Sequence, residues 1–156
     1  MDNGPQNTLS PDLRAALCAR FSALADADEV SAVVLTSAGA AFSAGLDIGE
    51  LGRPVQEPSL MQLTSLLAEF PKPIVAALQG RVPGGAVALA PAAHAREDTA
   101  DTHVAFPETA TGLLPSGLAR PRSPQLPPRS STLPALRAHA RSRVTQPAPD
   151  GCCERV

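Results

Sequence analysis

SAVVLTSAGAAFSAGLDIGEL, residues 31–51, is the stretch on which the fold turns. Its first half, residues 31–37, is short, β-branched and nearly continuous in apolar character, which predicts a strand buried on both faces. Its second half leaves that strand through small residues and a glycine, with no His, Cys or Lys among them. A glycine here permits positive φ or close backbone approach, so the next amide, that of Leu46, is free to project outward. Spacing alone also fits an ordinary strand-to-helix turn, with Gly45 supplying the geometry and Asp47 capping the next helical turn.

On the N-terminal side, residues 10–30 open with a helix start: Ser10 as N-cap, Pro11 at the first helical position and Asp12 in the first turn. Leu13, Leu17, Phe21 and Leu24 then recur at helical spacing, predicting one apolar face. On the C-terminal side, EPSLMQLTSLLAEF (57–70) predicts a second amphipathic helix, capped by Ser59, with Leu60, Leu63, Leu67 and Phe70 inward. PKPIVAALQG (71–80) reads as another buried strand. PGGAVALAPAAH (83–94) reads as a helix beginning at Gly84–Gly85 and kinked or ended by Pro91. THVAF (102–106) reads as a third strand. Strands alternating with helices predict an α/β layer structure.

From Leu118 the pattern changes. Residues 118–156 hold seven Pro, and seven Arg against Asp150 and Glu154, a net of +5; the preceding residues carry six basic and thirteen acidic groups, a net of −7. Low hydrophobicity with many prolines predicts disorder, with a short helix conceivable only in residues 133–144. Phosphate binding by this basic segment is the sharp reading, but it has no aromatics or fold motif to support it. Four Phe with no Trp or Tyr in the whole chain argue against base-stacking platforms.

The usual catalytic templates fail. His94, His103 and His139 are scattered, and HExxH, CxxC, GxGxxG and the P-loop lysine are absent. Ser43 lacks the first glycine of a nucleophile elbow. Cys18, Cys152 and Cys153 make neither a metal cage nor a disulfide framework. With no apolar signal region at the N-terminus and no long apolar run, a reducing, cytoplasmic setting away from membranes is expected.

Three stretches make sense together. FSAGLDI (42–48) offers the Leu46 amide, and QGRVPGGAVALA (79–90) offers helix-start amides at Gly84–Gly85, unpaired and at the positive dipole end. AFPETATGLLPSG (105–117) offers one carboxylate, Glu108. Two N–H groups aimed at one oxygen form an oxyanion hole, and a carboxylate beside it suits removal of a proton next to a thioester carbonyl. In isolation, Gly84–Gly85 also reads as close helix–strand packing, and Glu108 as a solvated surface carboxylate.

At these residues the sequence resembles the enoyl-CoA hydratase/isomerase (crotonase) family. NTLSPDL (7–13) is similar to its N-A-L-N/S-x-x-L helix entry, and AFSAGLDIGEL (41–51) to its F-x-A-G-x-D-[IL]-x-E segment. PIVAALQGRVPGGAVALA (73–90) resembles its P-[VI]-[IV]-A-x-[VI]-x-G-x-x-x-G-G-G-x-E-L-A, and AFPETATGLLPSG its F-x-x-P-E-x-x-x-G-[LI]-x-P-G. The resemblance implies a crotonase-like core of repeated β-α-β units. It also implies enolate chemistry on acyl-CoA, by hydration or double-bond migration, with Leu46 and Gly85 giving the oxyanion-hole amides and Glu108 the catalytic carboxylate. Ala44, Gly45, Leu46, Asp47, Ile48 and Gly84 would line the substrate groove. No separate cofactor or metal is implied, since coenzyme A is part of the substrate.

The chain departs from the family pattern in three places. The family's first catalytic glutamate falls on Ala88, a pattern closer to family isomerases, which can act with the Glu108-type residue alone. The match starts almost at Met1, where members usually begin with a strand or two. After LLPSG the helices that close the fold and help build trimers or hexamers have no counterpart. The expected organisation is therefore residues 1–117 as a core lacking its first strand or strands and its closing helices, then 118–156 as a Pro/Arg-rich segment. That segment reads as alternative-frame or foreign sequence after a break near Gly117. Poor solubility of the isolated chain is expected from the uncovered apolar surface. The alternative function is a non-catalytic remnant with weak or no acyl-CoA binding.

Overall fold

The computed structural model describes residues 1–108 together with Ser142 and Arg143. Helix α1 spans Pro11–Ala25, and the Ser10 hydroxyl accepts from the Leu13 amide as its N-cap. Helix α2 spans Leu60–Ala68 behind a capping box, Ser59 accepting from the Gln62 amide while the Gln62 side chain accepts from the Ser59 amide. Leu60, Leu63, Leu67 and Phe70 are buried, as the periodicity predicts. Phe21 of α1 meets Phe70 edge-on, ring centroids 5.2 Å apart, a pair worth about 0.5–1.5 kcal/mol beyond its area. The one lysine, Lys72, donates to the Leu24 and Ala27 carbonyls at 2.8 and 2.6 Å. The Leu24 carbonyl is one that the end of α1 leaves without a helical partner.

The strands form two sheets. Strands β1 (Val33–Leu35), β2 (Ile74–Leu78) and β4 (Ala95–Asp98) make a parallel sheet in the order β1-β2-β4, with Val34 opposite Val75 and Ala76 opposite Arg96. The second sheet runs β3 (Arg81–Pro83), β5 (His103–Ala105), β6 (Ser142–Arg143), β3 and β5 parallel and β6 antiparallel to β5. Parallel strands joined by helical segments are the predicted α/β layering. The core gathers Leu9, Phe42, Leu63, Leu67, Ile74, Val82 and Leu89, all fully buried, between the sheets and the helices.

The structure corrects some of these expectations. The strand at residues 31–37 is not buried on both faces: its side chains alternate, Leu35 facing the core while Val34, on the opposite face, is 64% exposed. The apolar face of α1 is as expected, with Phe21 buried and Leu13, Leu17 and Leu24 packed against the core, and Arg14 is buried beside it. Residues 83–94 do not form an α-helix but two 3-10 helices, Gly84–Ala88 and Ala90–Ala92. Two glycines weaken helix propensity at the start, and Pro91 has no N–H to continue an α-helical ladder. Strands β3 and β4 carry no readable pattern; β4 is the polar run ARED.

Of the candidate helix at 133–144, Ser142 and Arg143 are strand instead. The expected disorder of 118–156 otherwise concerns residues outside those described, as do the break near Gly117, His139, Cys152 and Cys153. Among the described residues no helix is long and apolar enough to cross a membrane.

Candidate active site

The site begins with the backbone at Ser43–Leu46. Ser43 is fully buried; its hydroxyl donates to the Asn7 carbonyl at 2.7 Å and accepts from the Gly45 amide at 3.1 Å. That structural role agrees with its rejection as a nucleophile. The Ala44 amide donates to the Gln6 carbonyl, and the Leu9 amide to the Gly45 carbonyl, both at 2.8 Å. Leu9 and Leu46 form a parallel bridge. Gly45 has φ +88°, a conformation other residues adopt only with strain. The segment 43–46 is thus held on one side by residues 6–9.

On the other side lies the start of the Gly84–Ala88 helix. A methyl group placed on Gly45 would lie 2.9 Å from the Pro83 carbonyl oxygen and 3.4 Å from the Gly85 nitrogen. One placed on Gly85 would lie 2.9 Å from Leu46 Cγ and 3.3 Å from the Leu46 nitrogen. With standard bond lengths, the last figure puts the Leu46 and Gly85 nitrogens within about 6 Å of each other, near the limit at which two N–H groups can share one oxygen. Gly85 is the second residue of its helix, so its N–H has no acceptor within that turn.

Glu108 completes the cluster. A methyl group on Gly84 would lie 2.8 Å from Oε2 of Glu108 and 3.4 Å from its Cδ and Oε1, and Gly84 itself has φ +51°. The carboxylate therefore lies against Gly84, not on a remote surface. Burial raises the Glu108 pKa above the ordinary glutamate value, with its own backbone hydrogen bond pulling partly the other way.

The structure thus brings Gly45, Leu46, Gly84, Gly85 and Glu108 together. The remaining candidates serve differently. Asp47 accepts from the Gly49 amide at 2.9 Å and caps the 3-10 helix Ile48–Glu50, the structural reading of its position. Ile48 is 80% exposed, and Ala44 is tied through its backbone. Ala88 is buried at the end of the helix that Gly84 begins. His94 Nδ1 accepts from the Ile74 amide at 3.1 Å, a structural contact. Sequence reading missed Arg14 and Glu50, whose bidentate pair, 2.7 and 2.8 Å, lies just behind this segment. Nothing in the helical period marks a cation for burial. Residue Glu50 was visible only as the final letter of the F-x-A-G-x-D-[IL]-x-E match.

The contact at Gly84 yields a direct expectation. Gly84→Ala forces the Glu108 carboxylate to shift and puts a side chain at positive φ. Since a displacement of about 1 Å costs on the order of a hundredfold in rate, any reaction that uses this carboxylate is expected to slow about tenfold to a hundredfold, measured by steady-state kinetics.

Comparison with known proteins bears on the same residues. A family model described as enoyl-CoA hydratase/isomerase matches residues 3–129. The peroxisomal fatty acid beta-oxidation multifunctional protein of Oryza sativa subsp. japonica is 33% identical over 132 residues, covering 80% of this chain and 18% of that protein. The "Probable enoyl-CoA hydratase" of Bacillus subtilis is 32% identical over 130 residues, covering 79% of this chain and 50% of that protein. The crystal structure of an enoyl-CoA hydratase from Shewanella pealeana superposes with TM-score 0.83 at 18% identity, covering 97% of this chain and 60% of that one, a likeness of fold. The chain spans half or less of the curated relatives named here. With a crotonase fold, the four ordered motifs and a family match over most of its length, the chain belongs to the enoyl-CoA hydratase/isomerase family.

Proposed function

We propose that this chain performs enolate chemistry on an acyl-CoA thioester, with double-bond isomerisation of a 3-enoyl-CoA as the favoured reaction. One observation carries the reading: the Glu108 carboxylate lies against Gly84, while at the adjacent Gly85 the Leu46 nitrogen comes close to the Gly85 backbone. In this reaction Glu108 takes a proton from the carbon next to the thioester carbonyl. The electron pair moves into a dienolate whose oxygen the two amides stabilise. Glu108 then returns the proton two carbons further along, leaving the double bond in conjugation and the enzyme unchanged. One carboxylate suffices, because no water has to be activated. Hydration does require that, and Ala88 supplies no second acid or base.

No separate cofactor and no nucleic-acid or membrane partner enters the reading, since coenzyme A arrives as part of the substrate. A reducing, cytoplasmic setting is part of the proposal, supported by the free, half-buried thiol of Cys18. The test monitors both reactions with the full chain: crotonyl-CoA for hydration and a 3-enoyl-CoA for isomerisation. Isomerisation is expected, with hydration slower by about a hundredfold or more, the usual contribution of one general acid or base. Hydration as fast as isomerisation would overturn the preference. No turnover or binding of either thioester would restore the alternative of a non-catalytic remnant.

A further inference from the structure

We infer that Arg14 is a positioning residue for the Leu46 amide, acting from behind the oxyanion pair. This rests on the reading of Leu46 and Gly85 given above. Arg14 is 1% exposed on helix α1, and every one of its five guanidinium donors is used. The first terminal nitrogen donates to the Leu9 carbonyl and to Oε1 of Glu50, both at 2.7 Å. The second donates to Oε2 of Glu50 at 2.8 Å and to the Gln56 carbonyl at 3.0 Å. Nε donates to the Pro58 carbonyl at 2.7 Å.

The destinations of these bonds matter more than their number. Leu9 is the bridge partner of Leu46, and its amide holds the Gly45 carbonyl at 2.8 Å. Glu50 ends the 3-10 turn that begins directly after Leu46 and Asp47. Pro58 leads into α2, whose first residue, Leu60, packs against Gly85: a methyl there would lie 3.2 Å from Leu60 Cδ2. One planar cation therefore fixes the chain before Leu46, the chain after it, and the helix that backs the second amide. A lysine cannot substitute, having three donors in a flexible tetrahedral head where this site uses a five-donor fork. A buried group so completely satisfied holds one geometry, and catalysis by fixed amides depends on that geometry.

The test reads the oxyanion site without relying on turnover. The probe is para-dimethylaminocinnamoyl-CoA, whose absorption moves to longer wavelength when hydrogen bonds draw electron density onto the thioester oxygen. It is bound to the full chain and to Arg14→Lys, and the spectrum of the bound probe is recorded. The bound band arises only from folded, loaded molecules, so loss of stability alone does not move it. Wild type is expected to give a red-shifted band, and Arg14→Lys a shift reduced by half or more. In parallel, kcat for 3-enoyl-CoA should fall about tenfold to a hundredfold with KM nearly unchanged.

Glu50→Gln, which keeps the arginine and the size of its partner, should show a smaller change in the same direction. It decides the matter if Arg14→Lys does not fold. A wild-type red shift retained in the folded variants would reduce Arg14 to a purely structural role and overturn the inference. A bound wild-type probe with no red shift would instead overturn the amide-pair reading itself, and this inference with it.

Discussion

Glu108→Gln is expected to lower isomerisation by about 10²- to 10⁴-fold, the range assigned to a positioned general acid or base, while leaving the protein as stable as wild type or more so. The two effects have one cause. Burial raises the Glu108 pKa, so the folded protein holds this proton more tightly than the unfolded chain does. The resulting contribution to stability is fully present below the unfolded-state pKa and is lost as pH rises through the higher folded-state pKa. Above that folded-state pKa the wild type carries a carboxylate in a place that disfavours charge, and the neutral glutamine relieves it. The base, however, must be ionised to accept a proton. Wild-type kcat/KM should accordingly rise with pH along an acidic limb placed above the ordinary glutamate range. A pH series of kcat/KM and thermal melts on both proteins checks this. Turnover unchanged in Glu108→Gln would remove Glu108 from the mechanism, and an inactive variant that has also unfolded would show that the residue serves structure first.

The candidate site was legible in the sequence while parts of its support were not. Leu46, Gly85 and Glu108 were readable because each follows a strand or opens a helix and because small residues, Gly45 and Gly84, mark close backbone approach. The room missing at those glycines is the physical content of that signal: a methyl on Gly45 would lie 2.9 Å from the Pro83 carbonyl oxygen, and one on Gly84 2.8 Å from Glu108 Oε2. Helix α2 was legible for a similar reason: its cap and its apolar stripe agree.

Arg14 was illegible because a charged residue in a helical repeat reads as solvated, and only its five acceptors, from Leu9, Glu50, Gln56 and Pro58, make burial tolerable. Those acceptors are as far as 44 residues away in sequence. The polar strand β4 escaped for the converse reason, since its place is set by pairing with β2 and not by side-chain pattern. The overestimate at Val34 came from reading a continuous apolar run as covered on both faces, when only the face carrying Leu35 is buried.

Ala88→Glu is expected to raise crotonyl-CoA hydration by about 10²- to 10⁴-fold, the contribution of a second positioned acid or base. The position is favourable. Ala88 ends the 3-10 helix that starts at Gly84, and in a helix of three residues per turn, side chains three apart lie one above the other. Position 88 therefore stands over Gly85, on the edge that presents the second amide. A carboxylate there adds a like charge near Glu108, and two such groups in a poorly solvated site separate their protonation, one tending to hold a proton while the other ionises. That is the division hydration requires: a base to take a proton from water and an acid to deliver one to the substrate carbon.

The substitution should also lower thermal stability, because Ala88 is buried and an ionisable group replaces a methyl. Ala88→Gln separates the two consequences: it has similar size and polarity but no proton chemistry, so it should share the loss of stability without the gain in rate. The measurement is the disappearance of crotonyl-CoA absorbance, with circular dichroism to establish folding. A folded Ala88→Glu protein that hydrates crotonyl-CoA no faster than wild type would show that the methyl at this position is not what limits hydration.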